Sequence, residues 1–338
     1  MNLPISAESL SESDIRPPQL MEEKKACLQW DVDFLLSQKH LWVNVPCPGC
    51  GSACAQVFGE KAGFSYDQCS ECGTIFTNPR PSLDVLHRFY AQSRNYDYWN
   101  RFIFPLTENA RRQHIFRPRA LSLSDWVSRL GIANGTMIEI GAAFGWFCQE
   151  IKSIECFDRV IAVEPTPGLA ATCRGKGIET FEMPVENLDL SGIADVVACF
   201  EVIEHLFSVS DFLRQCSRLL KTNGLLILTC PNSAGFDVGT LGLLSNTFDH
   251  EHLNYFTTES LTRLIAHSGF RVLSVETPGK LDVDIVKRFI DDGSLDISNN
   301  FLLRRIYGKG DPNLMNAFQT FLKENLMSSH MSIVCQKN

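Results

Sequence analysis

The sequence predicts an α/β fold, a doubly wound parallel sheet preceded by a small zinc ribbon, on three observations. From residue 136 onward, short apolar runs alternate with helical patterns, as expected of parallel strands with helices on both faces. The first run, Thr136–Ile140, passes through Gly141-Ala142-Ala143-Phe144-Gly145 into the helical pattern Trp146–Ile154. This is a strand feeding a tight turn into a helix N-terminus, where small residues let a ligand approach free N–H groups. Upstream, Cys47-Pro48-Gly49-Cys50-Gly51 is followed after eighteen residues by Cys69-Ser70-Glu71-Cys72-Gly73. Two Cys-x2-Cys knuckles, each followed by glycine, have the spacing of a tetrahedral Zn–S4 site, and four thiolates leave no open position for a catalytic water.

At 338 residues the chain is long enough for about two domains, and 44% hydrophobic with 21% charged residues is a globular composition. No apolar run reaches membrane-spanning length, and the polar, acidic Met1–Arg16 does not read as a signal peptide. Thirteen cysteines without a secretion signal indicate a reducing, cytoplasmic setting, with cysteines as core residues or metal ligands; Cys54 reads as a spare core thiol. A net charge of −8 speaks against broad nucleic-acid binding. From Arg80 to Arg119, however, eight arginines meet only three acids, which gives either a solvated helical face or an anion-facing surface.

In chain order, residues 1–40 form an N-terminal extension with an amphipathic helix over Met21–Leu36, 41–80 the ribbon, 81–125 a helical connector, and 126–338 the α/β domain. Asn78-Pro79-Arg80-Pro81 is a turn-forming linker, followed by a helix over Leu83–Tyr90 and the aromatic cluster Tyr96-Asp97-Tyr98-Trp99, which is core or lines a pocket at the junction. A second helical stretch covers Arg111–Leu130. After the glycine turn come strands at Arg159–Val163 (followed by Glu164), Glu179–Phe181, Ala194–Phe200, Leu225–Cys230 and Arg271–Glu276, with a last strand at Met331–Gln336. Helices fall near Leu169–Lys176, Val209–Leu220 and from the Thr257 cap to His267.

With these elements placed, residues 126–338 resemble the class I S-adenosylmethionine (SAM)-dependent methyltransferases. The carriers are the turn Glu139-Ile140-Gly141-Ala142-Ala143-Phe144-Gly145, with alanine for the family's middle glycine, and an acid, Glu164, at the end of the second strand. The resemblance implies a Rossmann-like seven-stranded sheet with the seventh strand antiparallel beside the fifth. It gives Glu139, Gly141, Ala143 and Gly145 to the methionine end of SAM and Glu164 to the ribose hydroxyls. Val185 and Glu186 go to the adenine edge, and Phe200, at the end of the fourth strand, to the same pocket. The whole arrangement, Cys47, Cys50, Cys69 and Cys72 included, is similar to zinc-containing methyltransferases of sugar pathways, among them C-methyltransferases acting on nucleotide-linked deoxysugars.

An oxygen or carbon acceptor must lose a proton as it gains a methyl group, so a base is expected over the cofactor. The loop after the fifth strand holds Asp249-His250-Glu251-His252, and His252, oriented by Glu251 or Asp249 and accompanied by Tyr255, is the expected base. A rival cluster is Glu201, Glu204 and His205, whose i, i+3, i+4 spacing would gather them on one helix face around a divalent metal such as Mg2+, with His250 or His252 completing it. The expected function is methyl transfer to a sugar, nucleotide sugar or similar polar small molecule, with no nucleic-acid or membrane partner. A metal-assisted O-methyltransferase and a non-catalytic zinc-ribbon binding protein stand as alternatives.

Overall fold

In the computed structural model, which describes residues 10–132 and 135–338, thirteen strands form three sheets among the described residues. The acidic N-terminal reading therefore concerns a segment whose first nine residues lie outside those described. A two-stranded ladder pairs β1 (Trp42–Val43) with β5 (Arg80–Pro81). The ribbon sheet contains β2 (Ala55–Lys61), β3 (Phe64–Cys69) and β4 (Ile75–Thr77).

The central sheet contains β6 (Thr136–Ile140), β7 (Arg159–Val163), β8 (Glu179–Phe181), β9 (Ala194–Phe200), β10 (Leu220–Pro231), β12 (Phe270–Glu276) and β13 (His330–Lys337); β11 (Asn254–Tyr255) belongs elsewhere. Its order is β12-β13-β10-β9-β6-β7-β8, with β13 antiparallel to both β10 and β12. This is the seven-stranded order implied by the resemblance. Side chains alternate strictly between faces: Met137, Val196, Ala198 and Ile227 pack under one layer of helices, and Ile138, Val197, Cys199 and Leu228 under the other. Both faces are covered, which is why these strands read as continuous apolar runs. Full burial of each such aliphatic side chain contributes roughly 1.5–3 kcal/mol. The chain leaves β6 toward β7 on one side and returns to β9 on the other, so a crevice opens at the carboxyl ends of β6 and β9.

The ribbon sheet takes its fourth strand from far along the chain. Its order is β11-β4-β3-β2, so Asn254 and Tyr255, after β10, pair with Phe76 and Ile75. Arg80 reinforces the junction: fully buried, it donates to the carbonyls of Thr77, Leu253 and Phe207 and to Asn254 Oδ1 at 3.1–3.2 Å. The connector is a continuous helical run from Arg94 to Arg129, interrupted by π-turns at Trp99–Ile103 and Arg112–Phe116. Each π-turn is closely followed by a proline, Pro105 or Pro118, which cannot donate the usual i→i−4 bond. The aromatic cluster thus lies inside the helix rather than before it.

The connector's arginines are largely engaged within the fold. Arg88 and Arg101 pair with Asp84 and Asp97, Arg112 with Glu108 and Glu150, and Arg119 with Glu201, while Arg94 stacks on Trp30 and Arg111 on Phe104. Cys148, Cys173, Cys199, Cys216, Cys230 and Cys335 are buried, as expected, but Cys54 is exposed rather than in a core, because it lies at the open start of β2.

Candidate functional site

The turn after β6 is built from alternating left-handed residues: Gly141, Ala143 and Gly145 have φ of 74, 46 and 67°. A Cβ on Gly141 would come within 2.6 Å of Val202, and one on Gly145 within 2.6 Å of Ile178, so glycine is required at both. Ala143 accepts its strained φ while its N–H donates to Glu164 Oε2 at 2.9 Å. The other oxygen of Glu164 accepts from the Thr166 N–H at 2.9 Å, so this acid is locked at the end of β7, against the turn. Burial raises its pKa.

Glu139 is buried beneath the turn and accepts from Cys148 Sγ at 2.9 Å; burial pushes its pKa up to about 8. Phe200 packs edge-on against Phe147 and carries the Arg119 guanidinium over its ring. Val185 is buried in the core beside β9, and Glu186 is turned to solvent. The Trp146 Nε1 and Gln149 Oε1 atoms, in the helix that the turn opens, are buried without a protein partner. A glycine cradle, an anchored acid and unsatisfied buried polar atoms fit a cofactor with polar ends.

The acceptor side is assembled around two imidazoles. His205 and His252 meet edge to face with centroids 4.7 Å apart. His205 Nδ1 donates to the Glu251 carbonyl (3.1 Å) and His252 Nδ1 to the Thr247 carbonyl (2.8 Å). A carbonyl can only accept, so Nδ1 carries the hydrogen in each ring and the neutral form presents Nε2 as an acceptor. Burial and the neighbouring His252 hold His205 neutral, its pKa lowered to about 3. At His252, burial is outweighed by the carboxylates of Asp249 and Glu204, and the pKa rises. Burial and then the charge of Glu201 push Glu204 up to about 8, and its Oε2 has no protein partner.

The other expected participants hold this arrangement from behind. Asp249 Oδ1 accepts the N–H groups of Glu251 and His252, each at 2.9 Å, so Asp249 and not the Glu251 carboxylate orients His252. The buried Tyr255 donates its hydroxyl to the His252 carbonyl at 2.9 Å. Two connector tyrosines lie near these groups: Tyr96 is within the electrostatic reach of Glu164, Glu251 and Glu204, and Tyr90, edge-on to Tyr96, within that of Glu251, Asp249 and Glu204. The sequence offered Tyr96 only as a member of an aromatic cluster, and Tyr90 only as the end of a helix.

The expected Glu201–Glu204–His205 face does not form. Residues 203–205 make a 3-10 turn and Glu201 has φ of 55°, so α-helical spacing does not apply. Glu201 folds back over the sheet to His330 Nε2 (2.7 Å), Arg119 Nη2 (2.9 Å) and Thr229 Oγ1 (2.6 Å). His252, and not His250, joins Glu204 and His205, with ligand atoms within 4.8 Å of one another. Two imidazoles and one carboxylate are not a Mg2+ donor set, which calls for oxygen ligands.

In the ribbon, the sulfurs of Cys47, Cys50, Cys69 and Cys72 all lie within 4.8 Å of one another, with Cys47–Cys72 and Cys50–Cys69 at 3.5 Å. A tetrahedral site with Zn–S of ~2.3 Å has edges of about 3.8 Å, so the four thiols fit such an ion. The knuckles are near copies: Gly51 N–H donates to the Cys47 carbonyl and Gly73 N–H to that of Cys69, with φ of 75 and 76° at the glycines.

Sheet order, glycine turn and anchored acid define a class I methyltransferase fold. Residues 112–275 match the family described as methyltransferase domain. It is similar to the C-methyltransferase NovU of Streptomyces niveus, 29% identical over 161 residues, which are 45% of this chain and 36% of that protein. It is also similar to a probable S-adenosylmethionine-dependent methyltransferase of Mycobacterium tuberculosis, 35% identical over 137 residues, 40% of this chain and 48% of that one. The chain thus spans well under two thirds of the length of these relatives. Among solved structures, a SAM-dependent methyltransferase from Thermotoga maritima aligns with 71% of this chain and 98% of its own at 19% identity, with a TM-score of 0.44. No helix among the described residues is long and apolar enough to cross a membrane.

Proposed function

We propose that the protein is a SAM-dependent methyltransferase that methylates a sugar, nucleotide sugar or similar polar small molecule in a cytoplasmic biosynthetic pathway. The observation that carries this reading is the imidazole pair at the carboxyl end of the sheet. Two Nε2 acceptors are fixed by backbone carbonyls in the segments that follow β9 and β10. Bound SAM supplies an electrophilic methyl group on a sulfonium that leaves as a neutral thioether.

The chain's own residues do the rest. Gly141, Ala143, Gly145 and Glu164 bind the cofactor, with Glu139, Val185, Glu186 and Phe200 around it. His252 is the catalytic base: its Nε2 takes the acceptor proton, and the neighbouring Asp249 carboxylate stabilises the imidazolium that results. Tyr255, Asp249 and the Glu251 backbone are positioning residues for the two rings. Holding the acceptor in line is worth roughly 7–11 kcal/mol in favourable cases. The four cysteines hold a structural Zn2+ that fixes the sheet to which β11, and through it the His252 loop, is paired.

The test is incubation of the purified protein with SAM and a panel of nucleotide sugars, read by mass spectrometry for one added methyl group. Retention of every exchangeable hydroxyl marks carbon methylation and loss of one marks oxygen methylation. Absence of SAM binding by calorimetry would remove the methyltransferase reading; SAM binding with no sugar methylated would remove only the acceptor class.

A further inference from the structure

A second cluster of chemistry-bearing side chains lies behind the imidazole pair, where the N-terminal extension meets the loop after β10. Asp31, in the helix Lys25–Ser37, is fully buried, and His250 is 4% exposed. One ligand atom each from Asp31, His250 and Glu251 lies within 4.8 Å of the others. We propose that these three residues form a second metal site, for a borderline divalent ion such as Zn2+, Mn2+ or Co2+, which pins the extension to the His252 loop. The site is independent of the methyl-transfer reading.

The distances are those of ligands rather than of hydrogen-bond partners. His250 Nε2 is 3.6 Å from Asp31 Oδ2 and 3.5 Å from Glu251 Oε1. These are too long for N–H···O bonds, and both ring nitrogens of His250 are buried without a partner. Tetrahedral coordination at ~2.0–2.2 Å gives ligand–ligand edges of about 3.3–3.6 Å. An imidazole with two unsatisfied nitrogens is costly at this depth, and a metal on Nε2 removes the larger part of that cost.

The surroundings orient the carboxylates as metal ligands require. Asp31 Oδ2 accepts from Ser93 Oγ (2.5 Å) and the Asn95 N–H (3.2 Å), and Oδ1 from the Arg94 N–H (2.8 Å). Glu251 Oε1 accepts from Asn95 Nδ2 at 2.6 Å. Charge points the same way. The carboxylates of Asp31, Glu251 and Asp249 converge on His250 as well as on the Lys24 ammonium, so the space at the His250 ring is one that favours a cation. One imidazole with two carboxylates is a borderline-metal set. The consequence reaches the imidazoles, because the Glu251 carbonyl holds His205 and His252 is the next residue.

The test uses the whole chain with its four cysteines loaded with Zn2+ and Co2+ alone as the probe. The wild type should take up one further equivalent, with weak visible bands of nitrogen and oxygen coordination and no thiolate charge-transfer band. His250→Gln and Asp31→Asn should each weaken that uptake by more than roughly tenfold, while Glu204→Gln keeps it. Failure of the wild type to bind Co2+ beyond the cysteines overturns the proposal, and needs no variant to fold. Uptake that survives in both His250→Gln and Asp31→Asn, or that is lost only in Glu204→Gln, overturns it as well.

Discussion

The two halves of the candidate site are made in opposite ways. The cofactor half is centred on one strand, one turn and one helix from Thr136 to Ile154, with Glu164, Val185, Glu186 and Phe200 brought in from the end of β7, the turn after β8 and β9 of the same sheet. The acceptor half draws His205 from after β9, His252 from after β10, and Tyr90 and Tyr96 from the connector, and it is clamped by a strand pairing with the ribbon. Construction within one sheet makes the first half independent of the ribbon. The second half exists only while distant segments stay docked.

The strongest way to break this contrast is to unfasten the ribbon. Purified protein should contain about one Zn2+ at the four cysteines. Cys69→Ser should release it, disorder β3, β4 and their pairing with β11, and abolish methyl transfer, while SAM affinity changes by no more than a few-fold. Metal analysis with calorimetry checks both parts. Equal loss of SAM binding would show that the halves are not separable.

A narrower cut is His252→Ala, which should lower turnover by roughly 10²–10⁴-fold and leave SAM affinity and zinc content as they are. Single-turnover kinetics on the acceptor identified by the nucleotide-sugar panel would read it, and a variant with near-normal turnover would take His252 out of the mechanism.

The same contrast explains what could be read from the residues. The glycine turn, Glu164 and both knuckles are legible because each depends on spacings within a few residues or at the end of a predicted strand, whereas the sheet order comes from the family resemblance that these residues carry. The rival metal face at Glu201, Glu204 and His205 fails because the helix-face argument presumes α-helical dihedrals, and the chain instead makes a 3-10 turn after a left-handed residue. Between Glu251 and Asp249 as the acid that orients His252 the residues alone do not decide, because both are near it in sequence; in space the Glu251 carboxylate faces Asn95 and His250, and Asp249 holds the His252 backbone. Asp31 carried no signal, since a lone acid on an amphipathic helix reads as surface until Ser93 and Asn95 are seen to bury it.

The complementary cut on the cofactor side is Glu164→Ala. It removes a charged acceptor that anchors the turn and is assigned to the ribose. Hydrogen bonds to charged groups contribute roughly 1.5–3 kcal/mol each, so SAM affinity should fall by about 10–100-fold while the ribbon keeps its Zn2+. Calorimetry showing wild-type affinity would reassign the acid.

The smallest expected effect tests whether long-range assembly also stores strain. Asp237 is 4% exposed, its Oδ1 lacks a partner, and it borders a cavity of about 350 Å³ shared with Arg119, Glu201 and His330. Burial and the neighbouring Asp282 push its pKa up to about 7, against a pull downward from the Val238 N–H and from Arg16. A carboxyl whose folded pKa lies above its unfolded value of 3.8 binds more protons folded than unfolded between those limits. The protein therefore loses stability as pH rises from about 4 to about 7, and the loss is complete above that range. Asp237→Asn keeps the shape and removes the ionisation. The variant should gain on the order of 1–2 kcal/mol over the wild type at pH 8, after the relaxation that tempers such burial, and little at pH 5. Urea denaturation at the two pH values measures the difference. A gain equal at both would mean that packing, and not the buried charge, sets the energy at this position.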